Sequence, residues 1–391
     1  MSSPIIKISI LAIAIGVIVM LFSVATGVGL QKKIKEKISG FNGDIQINNY
    51  DTNNSKVTVV PVSKNQNFYP EFSNIPNVKR VQVYATKAGI IRTPNEFEGI
   101  ILKGVDPNYG WSFFEEYLVK GEIPVITKKV TNKVLISEET AKRLSLNVGD
   151  SFHMFFVKGN PNKAPNSRKF EISGIYNSGF NEFDTRYIIG DIKHIQKINK
   201  WKEDQVGGFE IFIHDFDDLK KTGFEIYNNI NPTLNAYTVE EKFPTIFEWL
   251  RLFDTNIIVI IAIMILVSGI NMITALLVLI LERTQMIGIL KALGSSNWSI
   301  RKIFLYNAVY LIGKGLLWGN IIGIGLLLIQ KYFGILTLDP ETYYASEVPV
   351  YLTVEIVLLI NLGTLILCLA MLIIPSYIVS KISPVKAIKF D

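Results

Sequence analysis

The stretch 255-TNIIVIIAIMILVSGINMITALLVLIL-281 decides the fold class, because it holds 27 consecutive residues without a charge. A helix needs about 20 mostly apolar residues to cross the hydrocarbon core of a bilayer. Three further stretches meet this requirement: residues 8–30, residues 303–330 with one interruption at Lys314, and residues 356–380. The sequence therefore predicts four membrane-spanning helices.

The first apolar stretch is predicted to be an uncleaved span that continues into a helical stalk. Its 23 charge-free residues exceed the roughly 7–15 residues of a signal-peptide core, and no small-x-small cleavage site follows. Ile34 and Ile38 instead continue the helical period through residues 31–39.

Basic residues in the short loops predict the orientation. The loop of residues 334–350 between the third and fourth spans holds no Lys or Arg. The loop after the second span and the C-terminal tail hold Arg283, Lys291, Arg301, Lys302, Lys381, Lys386 and Lys389. The loop after the second span and the C-terminal tail are therefore predicted to be cytoplasmic. The large domain is then predicted to lie outside. Four lysines follow the first span on the proposed outer side: Lys32, Lys33, Lys35 and Lys37. Taken alone they predict the opposite orientation, but the three other loops predict the orientation given above.

Residues 40–250 are predicted to form an α+β domain inserted between the first two spans. Residues 44–48 alternate polar and apolar positions, as do the series Val81, Val83, Ala85 and Phe209, Ile211, Ile213. This alternation is typical of half-buried strands. Two subdomains are expected, an α/β unit of residues 44–120 plus 205–240 and a mostly β insertion of residues 121–204. The Pro/Asn/Lys-rich residues 158–169 are interpreted as a loop.

Two helix starts are predicted in this domain. Ser137 is placed as the N-cap of a helix with two glutamates in its first turn. Thr238 and Glu241 fit a capping box, whose helix could continue into the second span. Pro244 should either kink that helix or mark its true first turn.

The predicted organisation has eight parts. They are the first span with its stalk (5–39), the outer domain (40–250), the second stalk and span (251–283), a cytoplasmic helix (284–300), the third span (301–333), an external loop (334–350), the fourth span (351–380) and a cytoplasmic tail (381–391).

Neither the composition nor the motifs of the sequence indicate that the protein is an enzyme. The sequence contains no GxxxxGK[ST], GxSxG or HExxH. The three histidines are widely spaced, so no metal site is expected, and the single cysteine, Cys368, excludes an intrachain disulfide. The net charge of +6 is attributed to residues flanking the spans, and no basic stretch has the interleaved aromatics that would favour nucleic acid.

The segment 282-ERTQMIGILKALGSSNWSIRKIF-304 follows the second span. Ile287, Leu290 and Leu293 form an apolar stripe at helical spacing, and Gly294 is expected to end the helix. Such a helix could lie on the lipid surface or could dock a cytoplasmic partner.

This segment resembles the coupling segment of the MacB/FtsX-type (type VII) ABC transporter permeases, an acidic-Arg pair followed by IG-x-L-[KR]-A-[LI]-G. Residues 383–388, SPVKAI, resemble the closing element of that family, and the order of the four spans is similar. Residues 102–107, LKGVDP, and 174–184, GIYNSGFNEFD, resemble elements of its lipoprotein-releasing LolC/LolE branch.

The resemblance implies a permease in the bacterial inner membrane, with its large domain in the periplasm. A separate cytoplasmic ABC ATPase dimer would bind ATP and Mg²⁺, and this chain would bind no cofactor. A second permease subunit, a copy or a paralogue, would complete the transporter. Lipoproteins would be extracted from the outer leaflet and passed to a periplasmic carrier. The residues implied in ATPase coupling are Glu282, Arg283, Ile287, Gly288, Leu290, Lys291, Leu293 and Gly294.

The resemblance implies that spans one and two line the substrate cavity. Their apolar residues would also contact membrane lipid. The expected cavity residues are Met20, Phe22, Ile265 and Asn271. Lys314 is an intramembrane charge, and therefore either a functional candidate or a lysine that snorkels. Gly315, Gly319 and Gly323 are expected to pack against another helix.

Two alternative functions remain open. One is an FtsX-like mechanotransmitting regulator of a cell-wall hydrolase, and the other is an efflux permease with a detached ATPase. The stretch from Gln31 to Asp254 is longer than the outer domain of the FtsX branch, which favours lipoprotein release.

Overall fold

The computed structural model describes residues 4–51, 59–94, 96–156 and 165–381, which form two compact units. The helical unit comprises residues up to 32, 248–337 and from 347 onward. The sheet unit comprises residues 33–247 and 338–346. The predicted loop at residues 158–164 and the tail beyond residue 381 lie outside the described residues.

In chain order the helices are α1 (Pro4–Asn42), α2 (Ser112–Glu116), α3 (Glu138–Leu144), α4 (Asn181–Asp184), α5 (Ile192–Asn199), α6 (Leu219–Asn229), α7 (Val239–Lys242), α8 (Pro244–Glu282), α9 (Thr284–Ala292), α10 (Asn297–Phe333), α11 (Pro340–Tyr343), α12 (Val354–Ser376) and α13 (Ile378–Lys381). The strands are β1 (Ile45–Asn49), β2 (Val62–Ser63), β3 (Val78–Arg92), β4 (Phe97–Val105), β5 (Leu118–Gly121), β6 (Lys133–Ser137), β7 (Ser151–Phe156), β8 (Asn166–Tyr176), β9 (Tyr187–Asp191), β10 (Gln205–Val206), β11 (Gly208–Ile213) and β12 (Leu234–Thr238).

Four helical stretches in the described part of the chain are long and apolar enough to cross a membrane, as the sequence predicts. They are α1, α8, α10 and the run of residues 354–380 that includes α12. Local chemistry sets several of their ends. The Ser296 hydroxyl accepts from the Ser299 N–H at the start of α10, and Gly334, with φ of 57°, ends that helix.

Close packing of α10 against α1 explains the three glycines spaced four residues apart. A Cβ atom on Gly319 would lie 2.8 Å from the Val17 Cβ and 2.9 Å from the Ala14 carbonyl oxygen. Gly315 and Gly323 approach Ile13 and Leu21 in the same way. The glycines therefore form a packing face, since small residues let helix backbones approach closely.

A pair of asparagines links α10 to α12. The Asn320 amide donates to the Asn361 oxygen at 2.6 Å, and the Asn361 amide donates back at 3.0 Å. Each group therefore satisfies the other inside an apolar helix pair, where an unpaired amide would be costly.

The sheet unit is built on one ten-stranded mixed sheet. Its order is β12-β1-β11-β3-β4-β9-β6-β8-β5, and β7 pairs with β3 and β8. The pairs β4–β9 and β6–β8 are parallel. Strands from both predicted subdomains are hydrogen-bonded in this sheet. Residues 121–204 contribute the four strands β6 to β9 and the helices α3, α4 and α5. Residues 166–169 belong to β8 rather than to a loop.

The prediction of half-buried strands is wrong at the centre of the sheet. Five of the six residues of β11 are buried, on both faces, and residues 81–87 of β3 are buried without interruption. The alternating polar positions are buried against one another: the Gln82 amide donates to Glu210, and Lys103 pairs with Glu210. Polar side chains at these positions must therefore find partners inside the protein.

Both predicted helix starts of this domain are confirmed. The Ser137 hydroxyl accepts from the Thr140 N–H. Thr238 and Glu241 form a complete capping box, which starts the short helix α7. Pro244 then begins α8 as its first residue, where its missing N–H costs nothing.

Candidate functional site

The segment after the second span, which is predicted to be cytoplasmic, forms the short helix α9, which follows α8 at Arg283. The helix ends in a Schellman motif: the Gly294 N–H donates to the Lys291 carbonyl, and the Ser295 N–H donates to the Leu290 carbonyl, both at 3.0 Å. Gly294 has φ of 88°, which a residue with a side chain rarely adopts. The motif gives this helix a defined end.

One face of α9 is packed into the helical unit. Ile287 is fully buried in its core, Gly288 is buried as well, and Leu290 packs against the same core. The Lys291 ammonium donates to the carbonyls of Val379 (2.7 Å) and Ser380 (3.2 Å) in α13. This face therefore ties α9 to the last helices of the chain.

The other face of α9 is exposed, and this corrects the predicted apolar stripe. Leu293 is 78% exposed, whereas Ile287 of the same predicted stripe is fully buried. The surface that a partner could contact is formed by Glu282, Arg283, Met286, Ile289 and Leu293. We call these five residues the α9 surface. Met286 and Ile289 were not predicted, because apolar residues occur on both sides of this helix.

The four predicted cavity residues differ in their surroundings. Met20 is 1% exposed in the core of the helical unit, so the prediction for Met20 is corrected: neighbouring helices already cover its side chain. Phe22 and Ile265 are partly buried against that core. The Asn271 amide donates to the Val267 carbonyl, which leaves it satisfied within α8.

Lys314 lies on an exposed side of α10, and its ammonium lies 4.5 Å from the centre of the Tyr310 ring. A cation–π contact of this kind partly compensates a lysine for lost hydration. It forms no ion pair with the residues that the structure describes.

The outer end of α1 is inserted into an aromatic cluster of the sheet unit. Phe41, in the last turn of the helix, is fully buried and stacks on Phe183 at a centroid distance of 4.4 Å. The rings of Phe113, Phe114 and Tyr187 meet Phe41 edge-on. Four aromatic side chains therefore surround Phe41 and fix the position of this helix end.

A buried ion pair lies beside Phe41. The Lys103 ammonium is 2.7 Å from a Glu210 carboxylate oxygen, and the two side chains are 2% and 1% exposed. Lys103 also donates to the Phe41 carbonyl, one of the last carbonyls of α1 that lack a partner within the helix. Burial lowers the pKa of Lys103, and the Glu210 charge opposes that shift. The pair thus caps α1 from within the sheet.

A second acidic group lies in the segment 174–184. The Ser178 hydroxyl donates to the Asp184 carboxylate at 2.7 Å. Burial raises the pKa of Asp184 to about 6, and the Ser178 hydrogen bond opposes the shift. The stretch that resembles the lipoprotein-releasing branch is therefore a compact, buried turn next to the aromatic cluster.

Within the helical unit, Gln31 joins the two long helices. Its amide donates to the Leu250 carbonyl at 2.9 Å and to the Asp254 carboxylate at 2.8 Å. Helices α1 and α8 are therefore hydrogen-bonded to each other through Gln31. No group of three or more His, Cys, Asp or Glu side chains among the described residues could hold a metal ion.

The fold has four helices that are long and apolar enough to span a membrane among the described residues, with an α/β domain inserted after the first. The family model of the MacB-like periplasmic core domain matches residues 8–226, more than half of the chain. That of the FtsX-like permease C-terminal domain matches residues 258–384. The chain belongs to this family, and it is an ABC transporter permease of the Lol/MacB/FtsX type.

Several relatives resemble the chain over nearly its whole length. The lipoprotein-releasing system transmembrane protein LolC of Xylella fastidiosa is 22% identical over 98% of this chain and 93% of its own length. The corresponding LolE of Haemophilus influenzae is 20% identical with the same coverage. The periplasmic region of MacB from Actinobacillus actinomycetemcomitans is 14% identical, covering 52% of this chain and 91% of that one, with a TM-score of 0.35.

Family membership establishes where the protein is located and which type of transporter subunit it is. It is a multi-pass protein of the inner membrane with its large domain in the periplasm. It is a transmembrane subunit rather than an ATPase, and the family implies an ATPase and a second permease as partners.

Proposed function

We propose that this chain is the permease subunit of a transporter that releases lipoproteins from the outer leaflet of the inner membrane. The observation that carries the proposal is the likeness to both LolC and LolE, each over 98% of the chain. A separate ATPase would supply the energy and would bind ATP and Mg²⁺. A periplasmic carrier would receive the released lipoprotein.

The ATPase docks on the α9 surface. That surface has three exposed apolar side chains, Met286, Ile289 and Leu293, beside the charged pair Glu282 and Arg283. An apolar strip flanked by charges suits a protein partner, because the apolar residues give affinity and the charges set orientation. The packed face of α9 holds the helix to the core, so a push on the outer face moves the core with it.

Two long helices carry this movement outward. Helix α8 is unbroken from Pro244 to Glu282 and leads directly into α9. Helix α1 is unbroken from Pro4 to Asn42, and Gln31 bonds it to α8. The buried end of α1 at Phe41 then passes the displacement to the sheet unit. A long helix suits this task because hydrogen bonds between successive turns hold its backbone in one regular shape.

The acyl chains of the lipoprotein contact the first two spans. Phe22 on α1 and Ile265 on α8 retain exposed apolar surface, as acyl contacts require. Met20 takes no part, because it is buried.

Co-purification tests the function. The full chain, expressed in its own cells and solubilised in mild detergent, should carry with it an ABC ATPase, a second permease and acylated lipoproteins. Mass spectrometry of the acyl-peptides identifies the cargo. Recovery of the ATPase with a peptidoglycan hydrolase and no acylated cargo would instead support the FtsX-like alternative.

Charge substitutions test the docking surface. Ile289→Asp and Leu293→Asp should each lower ATPase recovery about tenfold or more, because a buried unpaired carboxylate costs several kcal/mol of binding free energy. Asn297→Asp is the matched control: it adds the same charge to an exposed position of the same cytoplasmic loop, at the start of α10, where an acid is tolerated. ATPase recovery that survives both α9 changes contradicts the assigned surface.

A further inference from the structure

The tip of the loop between α10 and α12 belongs to the sheet unit and not to the helical unit. It comprises residues 338–346 and includes α11. A short antiparallel bridge between Thr337 and Glu347 closes its base. The Leu338 N–H donates to the Ser346 carbonyl just beyond that bridge. Both ends of the tip are therefore covalently continuous with membrane-spanning helices.

Tyr344 in this tip begins a column of stacked rings. Its ring lies 4.6 Å from that of Phe180, Phe180 lies 4.5 Å from Phe183, and Phe183 lies 4.4 Å from Phe41. The interplanar angles are 20°, 19° and 10°, so the four rings are nearly parallel. This ring column runs from the loop between the third and fourth spans to the last turn of α1.

The backbone of Tyr344 is held in an unfavourable conformation. Its φ is 55°, in the left-handed region that bulky residues rarely adopt. Such a conformation persists only where the surroundings impose it, and it is a recognised mark of functional positions. Here it places the ring on Phe180, and the carbonyl of the same residue accepts a hydrogen bond from Lys37 at 2.9 Å. Two independent contacts therefore hold one strained residue.

The remainder of the tip packs less closely. Within the sheet unit, a cavity of about 540 Å³ lies between the tip and the segments opposite it; the lining includes Asp339, Pro340 and Ser346 of the tip, and Lys37, Gly179 and Asp184 opposite. The ring column, the Lys37 hydrogen bond and the buried Ala345 are contacts that hold the tip in position. Loss of the Tyr344 ring should therefore loosen the tip.

We propose that Tyr344 is a positioning residue for transport, which couples the loop between the third and fourth spans to the outer end of α1 through the ring column. The inference rests on the proposed function. Displacement of the α10–α12 pair is transmitted along Phe180 and Phe183 to Phe41, so the two halves of the membrane part act together on the sheet unit. Lys37 fixes the backbone on which the ring depends.

Three variants of the full chain, assembled with its ATPase, test the inference. Tyr344→Ala removes the ring, Tyr344→Phe keeps it, and Tyr343→Ala is the matched control, since Tyr343 is the preceding tyrosine and is 38% exposed. Tyr344→Ala should lower ATP-driven lipoprotein release about fivefold or more, with ATPase recovery and basal ATP hydrolysis unchanged. Tyr343→Ala should release lipoprotein as the unaltered protein does, and Tyr344→Phe, which keeps the ring, should release several times more than Tyr344→Ala.

Hydrogen exchange gives a second readout that does not depend on transport. In Tyr344→Ala, amides of residues 338–346 and of the last turn of α1 should both exchange faster, and in Tyr343→Ala neither should. Faster exchange at the tip alone, with release unchanged, overturns the inference and leaves a purely structural role. If the unaltered protein releases no lipoprotein, the proposed function fails, while unchanged exchange at α1 separately refutes the coupling.

Discussion

The Lys103–Glu210 pair is the most deeply buried ion pair among the described residues. Removing one partner should destabilise the folded protein, because the other charge would stay buried without a partner. Lys103→Met should destabilise the folded chain by about 3–5 kcal/mol, because Glu210 would keep its charge without a cation. The double variant Lys103→Met/Glu210→Gln should recover part of this loss, because the Gln82 amide that bonds Glu210 can also bond a glutamine. Denaturant unfolding of the purified protein in detergent measures both values.

The exposed pair Lys142–Glu138 provides the control for this measurement. Its lysine is 68% exposed, and surface pairs contribute about 1 kcal/mol or less. Lys142→Met should therefore leave the unfolding midpoint nearly unchanged. Equal effects of the two lysine substitutions would contradict the special role of Lys103.

Asp184 should make stability depend on pH. Burial raises its pKa from 3.8 to about 6 in the folded protein, so the folded state binds the proton more tightly than the unfolded state. The free energy of unfolding should therefore fall as pH rises from about 4 to about 6, by up to about 2–3 kcal/mol, and level off above. The neighbouring Lys37 cation opposes the shift.

The matched variant is Asp184→Asn, which has no proton to bind and can still accept from Ser178. Thermal unfolding at pH 4.5 and pH 7 should show a smaller decrease for Asp184→Asn than for the unaltered protein. The same decrease in both proteins would show that other groups cause it.

At the scale of elements, the contact of α10 with α1 should tolerate no added atoms. Gly319→Ala places a methyl group 2.8 Å from Val17 and 2.9 Å from the Ala14 carbonyl, and overpacking of this kind costs about 1–3 kcal/mol. Gly313→Ala in the same helix is the control, because no atom lies within 4 Å of the added methyl group. Thermal unfolding in detergent should show a lower midpoint for Gly319→Ala only.

The sequence predicts some elements well and others poorly for identifiable reasons. Charge-free runs identify the spans, because lipid excludes charges over a known length. Side-chain caps at Ser137 and Thr238 identify helix starts, because the chemistry is local. The alternation in β11 misled, since a sheet covered on both faces buries its polar positions too, and Glu210 is such a position. In α9, apolar residues occur on two sides of the helix, so the sequence pattern does not determine which face packs against the core.

At the scale of the whole molecule, cysteine labelling should report the orientation. Phe97→Cys in the sheet unit and Leu293→Cys in the cytoplasmic loop are matched, since these positions are 77% and 78% exposed, and the native Cys368 is buried. With both made in a Cys368→Ala background, a membrane-impermeant maleimide added from the periplasmic side should label only the first. Labelling of Leu293→Cys without lysis would reverse the predicted topology.

The conflicting lysines after the first span now have a physical explanation. Lys33 pairs with Glu116 at 2.9 Å, Lys35 lies over the Phe216 ring and Lys32 over the Tyr351 ring. Lys37 bonds the Tyr344 carbonyl. These charges have partners in the folded protein, which a count of loop charges ignores. The Phe41 cluster and the ring column were also beyond prediction, because residues about 140 and 300 positions away complete them.

The pairing of β1 has a consequence for biogenesis. Its partners are β11 and β12, so Ile45 lies opposite Ile211 and Thr238. The first strand of the domain is therefore translocated before the last two strands, with which it pairs, are synthesised. The interval is roughly 10–40 seconds at ordinary synthesis rates. Throughout that interval a long unpaired chain is exposed to proteases and to other nascent chains. Export of this protein should therefore depend on periplasmic chaperones more than its modest size suggests.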